Sequence, residues 1–206
     1  MTELQRALDD ISNIRNQIAD VQLFQGFGPL VIALTGALAL GLATLQALTG
    51  GDTSLLPWIA LACLSTALIA IETYALTRRT HGPNASNLLW AILQKFLPCL
   101  IAGAALGWII LTQTPEITWI LPGLWQILLA LGLFAATSML PRNTLFAAGW
   151  YLVAGLLVLM ISAQATAITP WAMGLPFGLG QILLACLLHW APEKRKDTRK
   201  GDPCHD

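Results

Sequence analysis

Six apolar stretches, each near 20 residues long, constrain this chain more than any other feature. They run over about 28–48, 56–77, 95–112, 118–140, 144–164 and 171–190. A hydrocarbon core of ~30 Å is crossed by a helix of about 20 residues. In lipid every backbone N–H and C=O needs a partner from the protein, and a helix supplies it within its own segment. The runs do not alternate apolar and polar residues, as the strands of a membrane barrel would. The expected fold class is therefore an all-α membrane protein with six transmembrane helices. Composition agrees: 56% of the residues are hydrophobic and only 11% charged, with a mean hydropathy of +0.67. Soluble domains carry about a quarter charged residues.

The few charges are segregated. The connections at about 49–55, 113–117 and 165–170 hold no Lys or Arg, but carry Asp52 and Glu116. All 11 basic residues fall on the other side, in the N-terminal segment (Arg6, Arg15), at Arg78, Arg79, Lys95 and Arg142, and in the tail from Lys194 to Lys200. The positive-inside rule then predicts that both termini are cytoplasmic. Trp58, Trp119 and Trp171 fall near the outer ends of spans and Trp90, Trp150 and Trp190 near the inner ends, as an aromatic belt would; Trp108 and Trp125 read as packing between helices. The formal net charge is zero, so nothing points to a nucleic-acid partner. The polar start lacks the short basic region and apolar core of a secretory signal, and is expected to be retained.

A junction recurs. "QGFGP" (25–29) and "QKFLP" (94–98) each stand where polar chain meets an apolar run. Each reads as the cytoplasmic entry of a two-helix unit: Gln faces headgroup water, Phe sits at the interface and Pro starts the buried helix. A third unit keeps only Phe146. The spans thus read as three parallel hairpin repeats, each return helix beginning near a proline (Pro57, Pro122, Pro170), where the missing N–H costs nothing. Small residues at Gly103/Gly107, Gly174/Gly178 and Ala33/Ala37/Gly41 predict close helix packing. Pro176, inside the sixth span, is a candidate kink.

The domain reading is a cytoplasmic amphipathic helix over 1–25, a six-helix transmembrane domain over 26–191 and a basic cytoplasmic tail over 192–206. In the first of these, Leu4, Ile11, Ile14, Ile18 and Val21 recur at helical spacings and form one apolar stripe. Surface-binding helices are usually basic on the polar face. Here Glu3, Asp9, Asp10 and Asp20 outnumber Arg6 and Arg15, so the stripe is a candidate face for protein: its own helix ends, a second copy or another membrane protein.

The stretch "IRNQIADVQLFQGFG" carries Ile14 and Arg15, then Phe24, then Gly26-Phe27-Gly28. It resembles the juxtamembrane stretch of a group of small, multi-spanning bacterial inner-membrane proteins. The small-Pro step usual before those glycines is absent. The resemblance implies a bacterial inner (plasma) membrane location and assigns no chemistry.

Ionisable residues within spans are costly and often functional. Glu72 lies six residues before Arg78, about 9 Å from the inner boundary. It reads either as a proton or cation site, or as an acid that reaches inner-side water or pairs with Lys95 or an arginine. Gln126 and Gln181, in the fourth and sixth spans, are candidates for bridging helices by hydrogen bonds. Cys63, Cys99 and Cys186 lie in apolar runs and, with Cys204, show no metal-ligand or disulfide spacing. Only His189 lies in a span, whereas a membrane haem needs two axial ligands, so no cofactor is expected. No phosphate-binding loop, nucleophile elbow or zinc helix motif occurs.

Two functions follow. The first is a non-enzymatic membrane protein with a binding, accessory or regulatory role. The alternative is a small transporter or channel-like protein with Glu72 as the coupling site.

Overall fold

A computed structural model of the chain describes residues 28–50, 54–81, 85–137, 140, 143–165 and 168–190. The expected N-terminal helix with its apolar stripe, and the basic tail, lie outside the described residues. Those described form six long helices: α1 (Pro29–Thr49), α2 (Leu56–His81), α3 (Ala85–Gln113), α4 (Leu121–Ala136), α5 (Thr144–Ala165) and α6 (Pro170–His189). All six are long and apolar enough to cross a membrane, α4 together with a 3-10 segment, Pro115–Ile120, that leads into it. The chain is a multi-pass membrane protein.

The helix limits have local causes. Prolines occupy the first turns of α1, α4 and α6, where no backbone N–H is missed. Thr169 caps α6, its hydroxyl accepting from the Ala172 N–H at 3.3 Å. Gly50, at φ 60°, ends α1 in the left-handed region that glycine adopts without strain. Threonines inside the spans turn their hydroxyls back onto their own helix: Thr35 donates to the Ile32 carbonyl, Thr66 to Ala62 and Thr112 to Trp108, each at 2.8 Å. No free polar group then faces lipid at these positions.

One boundary departs from expectation. α3 begins at Ala85, well before residue 95, and Pro98 lies inside the helix rather than starting it. Pro29 does start its helix, so the two Q-x-F-x-P junctions are not structurally equivalent. The residue four before Pro98 is Gln94, which is exposed, so the carbonyl that Pro98 leaves unpaired belongs to an accessible residue near the span's edge.

Successive helices run antiparallel, and the contacts fix this. We name the end of the bundle at the start of α1 the entry end, and the opposite end, at Gly50, the turn end. The most extensive interfaces are α1 on α6 and α4 on α5; α3 packs on α4 and α5 on α6, while α2 meets α1 and α3 less extensively. The helices close a ring in chain order, and α4 also touches α6 across it. The two tightest interfaces thus lie between the expected hairpins rather than within them.

Glycines set those interfaces. A Cβ at Gly36 would stand 2.8 Å from the Gly178 carbonyl oxygen and 2.9 Å from the Gln181 Cβ. A Cβ at Gly123 would stand 2.7 Å from the Gly155 oxygen. Only a missing side chain lets these backbones approach, and close approach is what drives helix association in lipid. Gly174 and Gly178 pack as expected, but against Gly36, Leu40 and Ala43. The expected face Ala33/Ala37/Gly41 is not the packed one: Ala37 and Gly41 are exposed, whereas Ala39 and Ala43 are fully buried. Gly103 and Gly107 lie against Trp125, whose indole N–H donates to the Gly103 carbonyl at 3.0 Å.

Two apolar clusters fill the interior. At the turn end, Ala39, Ala43, Leu55, Trp58, Ile110, Leu121 and Met173 bring together α1, α2, α3, α4 and α6. Nearer the entry end, Ala130, Leu133, Ala147, Ala148 and Tyr151 join α4 and α5, with Phe96 and Leu184 packed against them. α2 contributes to the first cluster and not to the second. Two tryptophan expectations are corrected here. Trp58 is 5% exposed and belongs to the core, whereas Trp108 is 72% exposed and packs between no helices.

Candidate functional site

The site is built along one face of α2. Trp58, Ser65 and Glu72 are spaced by seven residues, so a helix stacks them on the same side two turns apart. Trp58 and Ser65 are buried and Glu72 half-buried, so this face points into the protein.

At the turn end, the Trp58 indole N–H donates to Gln46 Oε1 at 2.8 Å, and Gln46 Nε2 donates to the Ser54 carbonyl at 3.0 Å. The two bonds latch α2 to α1 and to the turn between them. The same indole reaches across to α6, where a Cβ at Gly174 would stand 3.2 Å from its Cη2. At the entry end, the Glu72 carboxyl lies against Gly28, the residue that precedes α1, and a Cβ there would collide with it. The first N–H groups of a helix have no intrahelical partner and carry partial positive charge. Glu72 thus places a carboxyl beside the start of α1, and among the described residues it forms no ion pair with Lys95 or Arg78.

Between these ends lies a level of unpartnered polar atoms. Ser65 is 4% exposed, and its Oγ has no hydrogen-bond partner. Gln181, on α6, is 6% exposed, and its Oε1 has none either. Ser65 follows Trp58 by seven residues and Gln181 follows Gly174 by seven, and α2 and α6 both start at the turn end. The two residues therefore stand at one depth, about 10 Å from the Trp58–Gly174 contact. Gly36 of α1 meets Gln181 at this level.

Gln126 stands apart from that level, close to the turn end. Its Nε2 donates to the Ala172 carbonyl at 3.0 Å, tying α4 to the first turn of α6, while its Oε1 is buried without a partner. Of the three polar residues singled out from sequence, Gln126 bridges helices, Gln181 contributes an unpaired carbonyl oxygen, and Glu72 lies against Gly28. They do not converge on one point. Ser65 and the Trp58–Gln46 latch escaped the sequence reading, although the spacing 58, 65, 72 was visible as a signal.

The arrangement offers oxygens: a hydroxyl and an amide carbonyl in mid-span, and a carboxylate toward the entry end. Such groups bind cations or donors of hydrogen bonds. Among the described residues no three His, Cys, Asp or Glu side chains come together. Cys63, Cys99 and Cys186 are free thiols on different helices. Set against models of protein families, against curated proteins and against solved structures, the chain finds no match.

Proposed function

We propose that this chain is a non-enzymatic protein of a bacterial inner membrane, with cytoplasmic termini, that serves a binding or accessory role toward a second copy of itself. The observation that carries the reading is the position of α2 in the bundle. Its apolar span is 11% buried, against 39% for the spans of α4 and α6. The face opposite Trp58, Ser65 and Glu72 presents Ala60, Cys63, Ala67 and Ala70, all exposed and spaced by three or four residues. These small side chains, flanked by the exposed Leu64, Ile71 and Tyr74, let a second helix approach in lipid. The apolar stripe at Leu4, Ile11, Ile14, Ile18 and Val21 would extend the same association beyond the bilayer. Orientation rests on the one-sided placement of the 11 basic residues.

The native Cys63 provides the test. With Cys99, Cys186 and Cys204 replaced by Ala, mild oxidation in membranes should give a covalent dimer, weakened by deletion of residues 1–22. A cysteine scan over 60, 63, 67 and 70 that yields monomer throughout refutes self-association. A crosslink to a chain of another mass replaces the second copy by a different membrane protein.

A second reading, a small transporter or channel-like protein with Glu72 as proton or cation site, is favoured by the polar face of α2. It requires Glu72→Gln to abolish ion flux into liposomes while the protein stays folded. Wild-type liposomes without flux remove it.

A further inference from the structure

We propose that α1, α2 and α6 enclose a binding site for a monovalent cation, with Gln181 Oε1 and Ser65 Oγ as ligands and Glu72 at its mouth. Two side chains, each more than nine-tenths buried, end at one depth in oxygens that lack a hydrogen-bond partner. A buried polar atom left alone in a bilayer costs free energy, and the cost is removed by a bound ion or water. The inward face of α2 shrinks within one heptad from the Trp58 indole to the Ser65 hydroxymethyl. Meanwhile the α2 and α6 backbones nowhere approach closely among the described residues. The indole reaches α6 at the turn end, whereas two turns further in the same face of α2 carries only the short Ser65 side chain.

The ligand chemistry selects the occupant. Both mid-span ligands are neutral oxygens, which replace part of the hydration shell of an alkali cation. A divalent ion held there by neutral groups alone would be far more costly to dehydrate. The Glu72 carboxylate lies seven residues closer to the entry end on the same α2 face, about 10 Å away, where its charge raises the local concentration of cations. The Trp58–Gln46 latch and the turn-end cluster close the side toward the turn end. The site depends neither on the dimer nor on transport, because binding is measured directly.

The test uses the full-length protein in detergent. Thermal unfolding is followed in NaCl, KCl and LiCl against choline chloride at equal ionic strength. Equilibrium dialysis with radioactive sodium or rubidium measures stoichiometry on the wild type. One alkali cation should raise Tm saturably over choline and bind at one ion per chain. Ser65→Ala, which removes only the hydroxyl, should raise the half-saturating concentration about tenfold, the loss of one oxygen ligand. Gln181→Leu should abolish the salt-specific shift, and Glu72→Gln should weaken binding without abolishing it. Equal Tm in all chlorides together with no bound ion assigns the site to water and overturns the proposal. So does a cation-specific shift that survives unchanged in both Ser65→Ala and Gln181→Leu.

Discussion

Gly36→Ala is the sharpest probe of how the bundle is held. The added Cβ would meet the Gly178 carbonyl oxygen at 2.8 Å and the Gln181 Cβ at 2.9 Å, where ordinary contact starts at 3.4 Å. The shortfall is 0.6 Å to the oxygen (3.4 − 2.8) and 0.5 Å to the carbon (3.4 − 2.9). One obstacle is backbone, and the other is the root of a side chain, so neither can swing aside. α1 and α6 must separate over the largest interface in the molecule. Overpacking of this kind costs about 1–3 kcal/mol. Alanine recovers up to about 1 kcal/mol of helix propensity over glycine. The net expectation is destabilisation by about 1–2 kcal/mol. Gly41→Ala, five residues along the same helix, is the internal control. A Cβ there meets nothing within 4 Å, so only the propensity gain remains and the variant should equal or exceed wild type. Reversible unfolding in mixed detergent micelles, followed by tryptophan fluorescence, measures both. If Gly36→Ala proves as stable as Gly41→Ala, glycine contact does not define the α1–α6 interface.

Further outcomes follow from single contacts. Trp125→Phe keeps most of the packing on Gly103 and Gly107 but loses the N–H donated to the Gly103 carbonyl. It should cost about 1 kcal/mol in the same unfolding assay. Gln126→Leu removes the bond to the Ala172 carbonyl and also an unpartnered oxygen, so its stability should stay within about 1 kcal/mol of wild type. Gln126→Glu would bury a charge at the same place and should express poorly, as the membrane-inserted yield reports. Glu72→Gln replaces the carboxyl beside Gly28 by an amide of the same size and should change stability by no more than about 1 kcal/mol. A compartment-sensitive reporter at Gly50–Gly51 should be active outside the cytoplasm, and one at either terminus inside it.

The sequence by itself determined how many times the chain crosses the membrane and nearly where. Twenty apolar residues are a length requirement imposed by the solvent, and hydropathy reads length directly. It also placed the prolines of α1, α4 and α6 in first turns, because that preference is local. Which face of each helix turns inward was decided only by the tertiary structure. In water an inward face is marked by apolar residues; in lipid both faces are apolar and the mark vanishes. Ala33, Ala37 and Gly41 thus looked as suitable for packing as Gly36, Ala39 and Ala43, and the fit against α6 chose the latter. Glu72 likewise had several cations within its reach along the chain, yet the folded bundle set its carboxyl against Gly28, the residue just before α1. Depth in the bilayer follows from counting residues, whereas direction around a helix axis follows from which neighbour fits.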